Sequence, residues 1–80
     1  MRFYNYSMVN LRLKELRESV NKTQSEIAEQ LKIQQNTYSQ YETGRRQIPL
    51  EFLIELAKFY NVSVDYILNL TKIDFPYPKN

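Results

Sequence analysis

The chain has 80 residues, with 11 Lys and Arg against 9 Asp and Glu and neither histidine nor cysteine. That length holds one small domain with one core, stabilised by packing, and the missing cysteines exclude disulfide staples and a thiolate metal site. With no His or Cys, no glycine-rich phosphate loop and no paired carboxylates set in a pocket, an enzyme is the poorest expectation, and neither a cofactor nor a small-molecule ligand is expected.

Residues 1–9 contain Arg2, Phe3, Tyr4 and Tyr6 without a helical period and read as an N-terminal arm. They lack the uninterrupted apolar core of a secretory signal. No later run approaches the roughly 20 apolar residues that span a bilayer, so a cytoplasmic protein with no membrane partner is expected. From Asn10, an expected N-cap, Leu11, Leu13, Leu16 and Val20 recur every three or four residues and describe an amphipathic helix that stops at Asn21. Thr23 precedes Glu26 by three residues, the capping-box spacing, which starts a second helix at Gln24. Ile27, Ala28 and Leu31 form its apolar stripe.

Leu31 to Gln34 then form a turn, and a third helix runs from about Gln34 to Thr43 with Tyr38 and Tyr41 inward. Gly44, the only glycine, falls where a left-handed residue ends a helix. Arg45, Arg46 and Gln47 make a short basic loop closed by Pro49, which suits the first turn of a fourth helix. Leu50, Phe52, Leu53, Leu56, Ala57 and Tyr60 give that helix a core face, and Asn61 ends it. Ser63 caps a fifth helix expected from Val64 to about Leu70, with Asp65 near its positive end. The two prolines of TKIDFPYPKN make the last residues a tail. The expected organisation is thus an arm at 1–9, one domain at 10–70 and a tail at 71–80, all-α and without an internal repeat.

The outward residues of the third helix are unusual. A solvated helix face is commonly filled with Lys and Glu, whereas this one carries Gln35, Asn36, Ser39 and Gln40. Amides and hydroxyls donate and accept at once, which suits the edges of bases in a DNA major groove. The charge distribution agrees: eight cations face five carboxylates through Pro49, and three face four beyond it.

The Thr-Gln-x-Glu-Ile-Ala start, the Thr-Tyr-Ser-Gln-Tyr-Glu-Thr-Gly run and the basic loop stand in register. Together they resemble the Xre/Cro-type, lambda repressor-like helix-turn-helix domains, from about Leu11 to Leu68. The resemblance implies a compact five-helix, lambda repressor-like DNA-binding domain in which the third helix enters the major groove and the second crosses the backbone above it. It implies Gln35, Asn36 and Gln40, assisted by Ser39, as base readers. Gln24 would bind a phosphate and brace a reading glutamine, with Arg45, Arg46 and Gln47, and more weakly Lys22 and Thr37, also on the backbone. Arg17 and Glu42 match positions that pair across the first and third helices. Tyr38 and Tyr41 are expected in the core, with the Tyr38 hydroxyl a candidate to reach a phosphate.

Two departures stand out. Lys32 occupies a turn position where the family usually has glycine, so a strained or altered turn is expected. Gln34 stands where a Ser or Thr cap is usual. The function implied is a sequence-specific transcriptional regulator, a repressor, acting as a homodimer on a palindromic double-stranded operator. Tyr66, Leu70, Ile73 and Phe75 are the candidate dimer interface, against a tail folded back on the domain. The alternative is a protein-interaction module, such as an antitoxin or a bridging factor, which the aromatics of the arm and tail favour.

Overall fold

A computed structural model describes residues 11–75 of the chain. Among them are five helices and no strand: α1 (Leu13–Ser19), α2 (Gln24–Leu31), α3 (Gln35–Thr43), α4 (Leu50–Tyr60) and α5 (Val64–Ile67). The aromatic residues of the arm, the expected cap Asn10 and residues 76–80 lie outside the described residues. No described helix is long and apolar enough to cross a membrane.

The helices start and stop for local reasons. Thr23 accepts from the Glu26 amide at 3.1 Å while the Glu26 carboxylate accepts from the Thr23 amide at 2.8 Å, so the capping box of α2 is complete. Ser63 caps α5 by accepting from the Tyr66 amide at 3.0 Å. Gln34 caps α3 with extended backbone and no side-chain bond.

Every helix end is followed by a residue with positive φ: Asn21, Lys32, Gly44, Asn61 and Asn69. In each case the next amide bonds back across the turn, as Ile33 does to the Ala28 carbonyl at 2.9 Å and Arg45 to that of Gln40 at 3.0 Å. This is the Schellman closure, which satisfies carbonyls that the helix leaves unpaired. Lys32, at φ 59° and ψ 42°, therefore takes the conformation of the glycine it replaces instead of reshaping the turn.

The core collects Leu13 and Leu16 of α1, Ile27, Ala28 and Leu31 of α2, Tyr38 and Tyr41 of α3, Leu53, Leu56 and Ala57 of α4, and Ile67 of α5. Ile48 and Val62 fill the loops between them. Tyr41 also packs on Phe52, their ring centroids 6.3 Å apart, which fastens α3 to α4.

Four expectations are corrected. Helix α1 begins at Leu13, after Asn10 and Leu11, because the Arg12 amide is committed to the Ile67 carbonyl at 2.9 Å and ties that residue to α5. Val20 is exposed, since at the C-cap of α1 the backbone has left helical geometry and no longer continues the stripe. Leu50 is 65% exposed: it begins α4, with Pro49 as its N-cap, and the apolar stripe there runs past the core. Helix α5 ends at Ile67, before Leu70, because Asn69 turns left-handed and the Leu70 amide closes onto the Asp65 carbonyl at 2.9 Å.

Candidate nucleic-acid interface

The amide-bearing face of α3 is built by burying the opposite one. Tyr38 and Tyr41 are in the core, so the helical period turns Gln35 and Asn36 fully outward and leaves Thr37, Ser39 and Gln40 half-buried along the same side. Tyr38 is completely buried and its hydroxyl does not reach the surface, contrary to the expectation of a phosphate contact there. After Gly44, the amides of Arg45 and Arg46 both donate to the Gln40 carbonyl, at 3.0 and 3.2 Å. That fixes the start of the basic loop and leaves Arg45, Arg46 and Gln47 exposed. Lys22, also exposed, sits before α2 with Nζ 4.0 Å from Glu26.

A chain of hydrogen bonds joins α1, α2 and α3 beneath this face. Arg17 Nε donates to Glu42 Oε2 at 2.7 Å, Arg17 Nη2 to Glu42 Oε1 at 3.2 Å, and Arg17 Nη1 to the Lys22 carbonyl at 2.9 Å. Gln24 Nε2 donates to Glu42 Oε1 at 3.0 Å. Gln35 Nε2 then donates to Gln24 Oε1 at 2.6 Å. Glu42 and Arg17 expose only 3% and 12% of their side chains, so the pair is shielded, whereas Gln35 stands in solvent.

Burial pushes the Glu42 carboxyl up, but the hydrogen bonds from Arg17 and Gln24 and the arginine charge outweigh it and hold it below the ordinary glutamate value. The hydrogen bond to Glu42 correspondingly raises the Arg17 guanidinium. Burial, followed by the nearby Glu42 charge, pushes the Tyr60 phenol up to about 12. Burial first, and then the Glu42 carboxylate beside it, also raise the Tyr38 phenol. Both phenols are neutral at physiological pH.

Sequence reasoning did not reach two features. The bond from Gln24 to Glu42 joins two pairs that were expected separately. Arg12, the N-cap residue of α1, lies over the Tyr66 ring at 4.1 Å and donates to Asn69 Oδ1 at 2.7 Å, fastening the start of α1 to the end of the domain. Tyr66 is accordingly half-buried within the chain, while Leu70, Ile73 and Phe75 are 70%, 63% and 75% exposed instead of folded back on the core. Among the described residues no group of acidic side chains is placed to hold a metal ion.

The sequence that builds these two helices and their left-handed turn has relatives among known proteins. The helix-turn-helix family model matches residues 13–67. The chain belongs to the Xre/Cro-type, lambda repressor-like helix-turn-helix family. It is 44% identical over 68 residues to YobD, an uncharacterized HTH-type transcriptional regulator of Bacillus subtilis, covering 85% of this chain and 59% of that one. ImmR, an HTH-type transcriptional regulator of the same organism, is 42% identical over 62 residues, covering 78% of this chain and 49% of its own. The cryptic phage CTXphi transcriptional repressor RstR of Vibrio cholerae is 33% identical over 54 residues, covering 68% and 48%. BcrR of Enterococcus faecalis, 35% identical, is named as an activator. The chain spans about half the length of most of these relatives. No solved structure matches it.

Proposed function

We propose that this helix-turn-helix chain binds double-stranded DNA sequence-specifically and regulates transcription in the cytoplasm, as a repressor. In this reading α3 lies in the major groove with Gln35, Asn36, Ser39 and Gln40 toward base edges. Gln24, Thr37, Lys22, Arg45, Arg46 and Gln47 meet the phosphates on either side. The observation that carries the reading is the held position of Gln35: an exposed amide at the first position of α3, bonded at 2.6 Å to the first residue of α2. Holding a reading side chain before DNA arrives lowers the entropy lost on binding. The regulator names of the relatives support transcriptional control; the phage repressor RstR favours repression, and the activator BcrR favours the opposite sign.

One small domain covers few base pairs, so specificity comes from a symmetric dimer that reads two half-sites about 34 to 36 Å apart. The exposed Leu70, Ile73 and Phe75, with the half-buried Tyr66, supply the apolar surface for pairing.

Selection from a random duplex library tests the reading, with wild type and Gln35→Ala/Gln40→Ala compared at two salt concentrations. The wild type is expected to enrich a palindrome, and the double variant to lose that preference while keeping salt-dependent nonspecific binding. Failure of the wild type to enrich any sequence refutes base reading and turns the search toward a partner protein. Reduced output from a promoter carrying the selected site then supports repression, and increased output refutes it.

A further inference from the structure

The hydrogen-bond chain from Arg17 to Gln35 has a direction, and Glu42 sets it. Arg17 donates to both oxygens of the Glu42 carboxylate, which can only accept. The Gln24 amide, 3.0 Å from Oε1, must therefore turn its NH2 toward Glu42 and its oxygen away. That oxygen also accepts, so Gln35 has to turn its own NH2 toward Gln24. With one N–H used there, Gln35 presents its oxygen and its second N–H outward. Inverting Gln24 would set its oxygen against the shielded Glu42 carboxylate, where an unmade hydrogen bond costs most, and inverting Gln35 alone would set oxygen against oxygen at the exposed Gln24–Gln35 contact.

Resting on the base-reading proposal above, we infer that Glu42, which is buried away from DNA, is a positioning residue that makes Gln35 select adenine over guanine. Adenine offers a donor at N6 and an acceptor at N7 in the major groove, a match for one oxygen and one N–H. Guanine offers acceptors at both O6 and N7. To meet both, Gln35 would have to show two N–H groups and turn its oxygen to Gln24. Gln24 would then have to turn its own oxygen onto the Glu42 carboxylate. The charged anchor closes that route two side chains before the base.

The test begins with the site selected by the wild type and the base pair whose preference Gln35→Ala abolishes. Dissociation constants are measured by fluorescence anisotropy for duplexes carrying adenine or guanine there, and melting temperatures are recorded in parallel. Wild type is expected to favour adenine by roughly tenfold or more. Glu42→Gln, whose amide can either donate to Gln24 or accept from it, is expected to bring the ratio to within about twofold. Arg17→Met/Glu42→Gln removes the arginine that the single variant leaves unpaired, and keeps the test decisive if that variant does not fold. Gln24→Met, which leaves the ion pair intact, should collapse the ratio in the same way.

A merely structural Glu42 would lower the melting temperature and leave the adenine-to-guanine ratio at its wild-type value. That result in the Glu42 variants overturns the inference while the reading by Gln35 stands, and so does a wild-type preference for guanine at that pair. If Gln35→Ala changes the preference at no position, base reading by Gln35 itself fails, and the inference falls with it.

Discussion

Replacing Lys32 with glycine is expected to stabilise the domain without changing how it binds DNA. Five residues end helices with positive φ, and four of them are Asn or Gly, the types that tolerate it. Lys32 carries a full Cβ and a long side chain at φ 59°, where an ordinary L-residue is strained by about 1 to 2 kcal/mol. Glycine removes that strain but gives the unfolded chain more freedom, at about 0.4 to 1 kcal/mol. The side chain is exposed, so little packing is lost. The net gain lies between about 0 and 1.6 kcal/mol and centres on about 0.8 kcal/mol, or roughly 3 to 6 °C in a domain of this size. Urea and thermal melts of wild type, Lys32→Gly and Lys32→Ala measure it, alanine serving as the control that keeps the Cβ. Because glycine adopts the same angles, the α2–α3 geometry and the affinity for a selected site should not move. Equal midpoints for the glycine and alanine variants, at equal m-values, would refute the claim that the turn is strained.

Acid should weaken the fold through Glu42. Its folded pKa is depressed, so the stabilisation is complete above the ordinary value of 4.5 and is lost as pH falls through the lower folded value. Urea midpoints taken from neutral pH down to about pH 3 should fall for wild type, and fall less for Glu42→Gln; the residual slope includes Glu26, whose carboxyl the Thr23 amide and hydroxyl also hold low. Arg45→Ala and Arg46→Ala should each reduce the slope of log affinity against log salt by about 0.9 and weaken all sequences alike. A change in the ranking of sites would instead make that arginine a base reader. Leu70→Asp/Phe75→Asp should convert a dimer to monomers in sedimentation equilibrium and reduce binding to the full palindrome, with single half-site contacts kept. An unchanged mass would remove the tail from the interface.

Wherever a residue type has a strong local preference, the fold was legible in the sequence. Thr23 and Glu26 announced the start of α2, and Asn21, Gly44 and Asn61 announced three helix ends. Lys32 and Asn69 share the left-handed conformation, but lysine carries no signal for it, and Asn69 lay inside an expected helix. Leu50 misled because periodicity reports the direction around a helix, not how far along its axis the core extends. In the candidate site, the Arg17–Glu42 pair and the bracing of a reading glutamine by Gln24 followed from family resemblance, though not which glutamine it braces. The link between them did not, since it spans 18 residues of sequence and depends on rotamers set by the packing of three helices.

A shielded ion pair is an expensive way to join helices, because removing both charges from water cancels most of their attraction, and apolar residues of similar volume commonly stabilise as well or better. Arg17 and Glu42 supply something that an apolar pair lacks, which is polarity. A row of amides by itself can be satisfied in either sense, since each amide donates at one end and accepts at the other. Arginine only donates and the ionised glutamate only accepts, so anchoring the row on that pair removes one of its two senses. The desolvation cost at the centre of the domain is thereby converted into a defined donor and acceptor pattern at its surface, where Gln35 stands at the open end of α3.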